Sequence, residues 1–178
     1  MVRIRPAPGG TDREGTVTSE ELIVHLGLER HPEGGWYRQT YLAAKKVHTA
    51  RGERAASTAI YFLLSGNEFS ALHRIQSDEV WHFYAGDTLI VSVIHPDGRH
   101  EDLLLGQSLP AGETLQGWVP AGAWFGARLK WPGTYALVGC TVAPGFDFAD
   151  FEMGNREALL RQFPQHSDLV TKLTRQES

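Results

Sequence analysis

Nine short apolar or alternating runs lie between residues 36 and 142, each broken off by turn-forming residues, and they restrict the possible folds more than any other feature. The runs are 36–43, 57–64, 69–75, 80–84, 88–95, 101–105, 114–119, 124–129 and 135–142. Between them stand Ser65-Gly66-Asn67, Gly86-Asp87, Pro96-Asp97-Gly98, Pro110-Ala111-Gly112, Pro120-Ala121-Gly122 and Pro132-Gly133. Glycine and asparagine tolerate positive φ, and proline pre-sets the first corner of a turn. No helical period separates the runs. Closely spaced strands of this kind predict at least eight strands in two packed antiparallel sheets, a sandwich or a barrel, with helices confined to the ends.

The flanks read differently. Thr18 followed by Glu21 is a capping-box signature, and Leu22, Ile23, Leu26 and Leu28 give the helix it opens an apolar face. His31-Pro32 is expected to end that helix, because a residue before proline is pushed out of the α region. Gly34-Gly35 then turns the chain. Residues 1–16, rich in Pro, Gly and charge, read as a flexible tail, and 17–178 as a single domain. The polar segment 45–54 reads as a surface loop, and 155–163 and 167–173 as two helices broken at Pro164.

The net charge is −4 with no basic run, which argues against a nucleic-acid or membrane-surface partner. No stretch approaches the roughly 20 apolar residues that span a bilayer. The amino-terminal residues lack the apolar core of a secretory signal. One cysteine excludes an internal disulfide framework and fits a reducing compartment, so the expected location is cytoplasmic.

One stretch carries chemistry: His73-Arg74-Ile75-Gln76-Ser77-Asp78-Glu79, then Val80-Trp81-His82-Phe83-Tyr84-Ala85-Gly86. His73 and Ile75 share a strand face, and Glu79 opens the next strand, able to point into the same space. An imidazole and a carboxylate converging inside a barrel can bind a metal, move a proton or fix a polar ligand. At these residues the chain resembles the cupins. Their first motif has two histidines one residue apart, then a glutamate and a glycine; His73, Glu79 and Gly86 fall in register, with Ile75 at the second histidine position. Pro120-Ala121-Gly122 matches the second motif, with Phe125 where its histidine would stand. More closely, the chain resembles the cupin branch labelled a domain of unknown function. That resemblance is carried by His31-Pro32-Glu33-Gly34-Gly35-Trp36-Tyr37, Ser57-Thr58-Ala59-Ile60-Tyr61-Phe62-Leu63-Leu64, Ser77-Asp78-Glu79-Val80-Trp81-His82-Phe83-Tyr84, Val119-Pro120-Ala121-Gly122-Ala123-Trp124 and Ala143-Pro144-Gly145-Phe146-Asp147-Phe148.

The resemblance implies an all-β jelly-roll barrel that dimerises and holds a pocket. Related cupins include sugar-phosphate isomerases, nucleotide-sugar epimerases, dioxygenases and ligand sensors, so the fold does not choose a reaction. A stable zinc site wants three or more protein ligands, and an oxygenase iron site two histidines and a carboxylate. With Ile75 and Phe125 at two motif positions, no cofactor is expected. A divalent metal, if bound, would sit on His73 and Glu79. Those two residues are the candidate catalytic pair, His73 as base and Glu79 orienting it or acting as acid. Arg38, Trp81, Trp124 and Phe125 are candidate ligand-binding residues, Arg38 for a phosphate or carboxylate and the aromatics for stacking. Arg74 should face away from the pocket, His82 should lie on the opposite strand face from Glu79, and Cys140 should be a small core residue. Three functions follow: a metal-independent isomerase or epimerase acting on a sugar phosphate or nucleotide-linked sugar, a ligand-binding or sensor cupin without turnover, and a degenerate dioxygenase. The expected partners are a small polar ligand and a second copy of the chain.

Overall fold

The computed structural model describes residues 17–175. The tail expected at 1–16 lies outside the described residues. The first helix, α1 (Ser19–Leu26), opens on the capping box read from the sequence: Glu21 N–H donates to the Thr18 hydroxyl, and the Glu21 carboxylate accepts from Thr18 N–H. It ends earlier than expected. Gly27, at φ 60°, takes the left-handed cap, and its N–H returns to the last carbonyls of the helix. Thus glycine stops α1, and His31-Pro32 lies beyond it.

The strands follow as β1 (Glu29–Arg30), β2 (Trp36–Leu42), β3 (Lys46–Thr49), β4 (Gly52–Ala55), β5 (Thr58–Gly66), β6 (Phe69–Arg74) and β7 (Asp78–Gly86). After them come β8 (Leu89–Ile94), β9 (His100–Leu105), β10 (Gln116–Val119), β11 (Trp124–Leu129), β12 (Thr134–Ala143) and β13 (Glu152–Met153). Each expected run appears as a strand. The segment read as a surface loop at 45–54 instead forms the β3–β4 hairpin, because Val47 and Arg54 pair across a tight turn closed at Thr49 and Gly52. Two antiparallel sheets face each other, one ordered β1-β2-β5-β12-β7-β10 and the other β13-β6-β11-β8-β9. This is the jelly-roll arrangement.

Inward-facing Phe62, Leu64, Trp81, Val91, Val93, Phe125, Ala127 and Val138 fill the space between the sheets. The helices α2 (Arg156–Gln162) and α3 (Ser167–Lys172) cover the outside of the five-stranded sheet, burying Leu72, Ile94 and Trp124 under Leu159, Phe163, Val170 and Leu173. Strand β8 is therefore buried on both faces, which explains its unbroken apolar run, Leu89-Ile90-Val91-Ser92-Val93-Ile94. On the other sheet α1 lies over Leu63 and Leu137. One end of the space between the sheets stays open, and there the cavity lies.

Candidate functional site

The cavity has a volume of about 230 Å³. The six-stranded sheet supplies Tyr37 and Gln39 from β2, Thr58, Ile60 and Phe62 from β5, Glu79 and Trp81 from β7, and Cys140 and Val142 from β12. His73 and Ile75 enter from the end of β6 and the residue just beyond it, on the parity read from the sequence. Glu29, His31 and Glu33 come from the β1–β2 hairpin, and Phe146 and Phe148 from the chain after β12.

Sequence reading missed Glu29, His31 and Glu33 as site residues, and the most buried of them is Glu33. It sits in the turn after β1, where Gly34 (φ 114°) and Gly35 (φ 76°) bring the chain back. A Cβ on Gly34 would lie 2.2 Å from the Phe69 carbonyl oxygen, so only glycine permits this close approach. The turn is held from outside by Ala71 N–H donating to the Glu33 carbonyl at 2.8 Å. Arg175, near the other end of the chain, donates to the carbonyls of Pro32 and Glu33, each at 3.0 Å. Nothing local in the sequence marks Glu33 as buried. Its only signal was its place in a segment carrying the cupin resemblance.

Glu33 and His73 form a buried ion pair, with Glu33 Oε2 3.0 Å from His73 Nε2. The Ser70 hydroxyl donates to the other carboxylate oxygen at 2.9 Å. His73 Nδ1 lies 2.7 Å from the Ala71 carbonyl oxygen. Both ring nitrogens thus face acceptors, and the ring is an imidazolium that donates from both. Burial would strip that charge, but Glu33, by charge and hydrogen bond, then the Ala71 carbonyl, hold the His73 pKa above its ordinary value. Burial likewise pushes Glu33 up, and His73 overcomes it, with smaller help from His31 and Ser70, to hold Glu33 below the usual carboxylate range. Phe125 packs at 4.1 Å between ring centroids and Phe151 stacks at 5.3 Å, so His73 is fixed in place.

His31 has the opposite tendency. Its Nδ1 accepts from Glu33 N–H at 3.3 Å, and burial lowers its pKa despite the nearby Glu33 charge. The neutral ring therefore carries its proton on Nε2. Glu79 is buried and lines the cavity with one weak partner, the Cys140 thiol, which donates to its carboxylate. Burial raises Glu79 to about 7, the Glu33 charge adding to the effect and the His73 charge opposing it. Burial, and after it the Glu79 charge and contact, push the Cys140 thiol well up, so it is a poor nucleophile, though it faces the cavity as well as the core.

The other sequence candidates divide. Trp81 lines the cavity, and its indole Nε1–H has no hydrogen-bond partner among the described residues. Phe125 lies beneath His73 and supports it without lining the cavity. Arg38 is exposed on the outer side of β2 and donates to the Leu26 carbonyl at 2.9 Å, so it serves the end of α1 and not a ligand. Trp124, next to Phe125 on β11, takes the opposite parity and is buried under the helices with Arg74 over its ring. His82 faces outward, against Thr141. Gln39 lines the cavity from β2 with a neutral amide.

A family model described as cupin superfamily (DUF985) matches residues 20–154. The chain is a cupin of this family. A crystal structure of a protein from Shewanella oneidensis is 42% identical, covers 91% of this cupin and all of its own chain, and superposes with a TM-score of 0.85. A hypothetical protein from Leishmania major is 37% identical over 90% of this cupin and all of its own chain, with a TM-score of 0.84. Oxalate decarboxylase of Bacillus subtilis, in a variant form, shares the fold at 14% identity and a TM-score of 0.54, over 84% of this cupin and 38% of the decarboxylase. None of the curated proteins matches.

The two cupin motifs would place metal donors at residues 73, 75, 79 and 125, but the side chains here do not fit a metal. Ile75 and Phe125 offer no lone pair, and both nitrogens of His73 are engaged as donors. No group of three or more His, Cys, Asp or Glu among the described residues has the geometry to hold a metal ion. Of the three carboxyls lining the cavity, Glu33 is taken up by His73 and Ser70, and Glu29 and Glu79 form no three-donor set among the described residues.

Proposed function

We propose that the cavity binds a small polar organic molecule and that Glu79 moves a proton on it, in metal-independent chemistry of the isomerase or epimerase type. The observation that supports this most is a buried carboxyl, facing the cavity, with a pKa of about 7. A general base works best when its pKa lies near the working pH. In its ionised form Glu79 takes a proton from carbon next to a carbonyl; the C–H electron pair becomes the enolate, and its charge rests on the carbonyl oxygen. The His73 imidazolium, fixed by Glu33, lends a positive field to that oxygen. His31, with its proton on Nε2, is the candidate donor for the return step. The role of base thus moves from His73, whose nitrogens are occupied, to Glu79.

The expected phosphate finds no partner, since no Lys or Arg lines the cavity among the described residues. A second reading, binding without turnover, is favoured by the locking of His73 into its ion pair, which leaves no second free acid–base group beside Glu79 on its side of the cavity. The buried single cysteine suits a cytoplasmic setting, and no helix among the described residues is long and apolar enough to cross a membrane. A thermal-shift screen of small polar metabolites tests the pocket: a true ligand raises the midpoint by mass action, and Glu79→Gln should weaken that response while remaining folded. Deuterium uptake from heavy water into the bound ligand separates turnover from binding. A variant that unfolds, or one that keeps the full ligand response, would sink the role of Glu79.

A further inference from the structure

The cavity has an unbalanced charge. Its titratable walls are Glu29 and His31 from the first hairpin, Glu33 from the turn, Tyr37 from β2, His73 from β6, Glu79 from β7 and Cys140 from β12. Glu33 and His73 cancel one another through their ion pair. His31 and Tyr37 are neutral, the first with a lowered and the second with a raised pKa, and the buried thiol keeps its proton. The carboxyls of Glu29 and Glu79 are left without a cation, since no Lys or Arg lines the space among the described residues. Glu79 is only 8% exposed, so solvent does little to screen it. The same cavity is lined by the aromatic rings of Tyr37, Phe62, Trp81, Phe146 and Phe148. Aromatic walls attract cations through the ring quadrupole, and more strongly where water is excluded.

We infer that the molecule bound in this cavity is a small organic ammonium ion, held by Glu79 and Glu29 against the aromatic walls. This rests on the pocket reading above and names the charge class of its ligand. A phosphate or carboxylate would meet the carboxyls of Glu29 and Glu79, no Lys or Arg, and an imidazolium whose N–H groups are already taken. A cation instead favours the ionised form of Glu79, the form able to accept a proton, so binding and base formation support each other.

Choline tests the inference on the full chain, together with its uncharged carbon analogue neohexanol and its anionic analogue tert-butylacetate. The three have nearly the same shape and differ in charge, and choline's charge does not change with pH. Ethanolamine adds a hydrogen-bonding ammonium. Choline or ethanolamine should raise the melting midpoint, and neohexanol and tert-butylacetate should not. Apparent affinity for choline should increase about tenfold from pH 6 to pH 8, as the ionised fraction of a group titrating near 7 rises. Glu79→Gln should remove that pH dependence, and Glu29→Gln should weaken binding at both pH values. The inference is overturned if neither cation stabilises the protein, or if neohexanol stabilises it as well as choline does. A response to neohexanol or tert-butylacetate alone would overturn the charge class and leave the pocket reading intact; failure of the pocket reading would appear as silence across the wider metabolite screen.

Discussion

Glu33 and Glu79 face the same cavity and titrate in opposite directions, for reasons that lie in their immediate neighbours. Glu33 touches the His73 cation and a hydroxyl; Glu79 touches a thiol. The raised pKa of Glu79 means that the folded protein holds this proton more tightly than the unfolded chain. Stability from this group is therefore fully present below the ordinary carboxylate value of 4.5 and is lost as pH rises through about 7. A shift of this size corresponds to about 3 kcal/mol. Glutamine cannot ionise, so Glu79→Gln should lose less stability between pH 5 and pH 8 than the wild type does, by up to about 3 kcal/mol in urea denaturation. Parallel pH profiles for the two proteins would refute the burial argument. Strand parity was enough to bring His73, Ile75, Glu79 and Trp81 to one space from the sequence. It was not enough for Arg38, because the inward face of β2 could not be read from its mixed residues. Trp124 was misplaced for another reason: it faces the second, helix-covered side of its sheet, whose apolar residues look in sequence like those of the first side.

The elements around the cavity mouth are joined by one buried acid. Asp150 follows Phe148 in a short 3₁₀ turn and accepts from Arg54 through both carboxylate oxygens, at 2.8 and 2.9 Å. Arg51 donates to the same carboxylate at 2.9 Å and to the Gln76 carbonyl at 3.1 Å. The β3–β4 hairpin thereby ties the aromatic segment over the cavity to the turn between His73 and Glu79. The Arg54 hydrogen bonds, chiefly, hold the Asp150 pKa down, so the tie is present at neutral pH and lost as pH falls through that lowered pKa. Asp150→Asn should cost about 2 kcal/mol, since it weakens charged hydrogen bonds to a buried group. Hydrogen exchange should quicken at 146–151 and leave β8 protected; unchanged exchange there would show that the segment is held by its phenylalanines alone. This hairpin was illegible in the sequence. Its strands are short and polar on both faces, and its purpose is to present two arginines to a carboxylate about a hundred positions away.

On the scale of the molecule, the architecture was the most legible part, because burial between two sheets writes a period of two along every strand. What the sequence concealed were contacts between distant turns, which leave no period. The outer edge of the six-stranded sheet is only partly covered: β1 pairs with Trp36 and Tyr37, leaving the rest of β2 with an open edge and Tyr41 and Leu42 more than half exposed. Open edges invite pairing, and a second copy of the chain is the expected cover. Sedimentation equilibrium at micromolar concentration should give twice the chain mass, and a Tyr41→Lys, Leu42→Lys double substitution should give one chain mass. A monomer in the unsubstituted protein would refute this.

The grip of Arg175 on the Pro32 and Glu33 carbonyls gives the protein a built-in order of completion. The turn that brings Glu33 to His73 is made early in synthesis, yet one of its fasteners arrives 142 residues later. Loop closure over that span comes late, after local pairings have formed. Until that contact closes, the chain can hold all its strands and still lack one support of its buried ion pair. Competence to bind would then lag behind acquisition of the fold, and the pocket would be the last thing the folding chain completes.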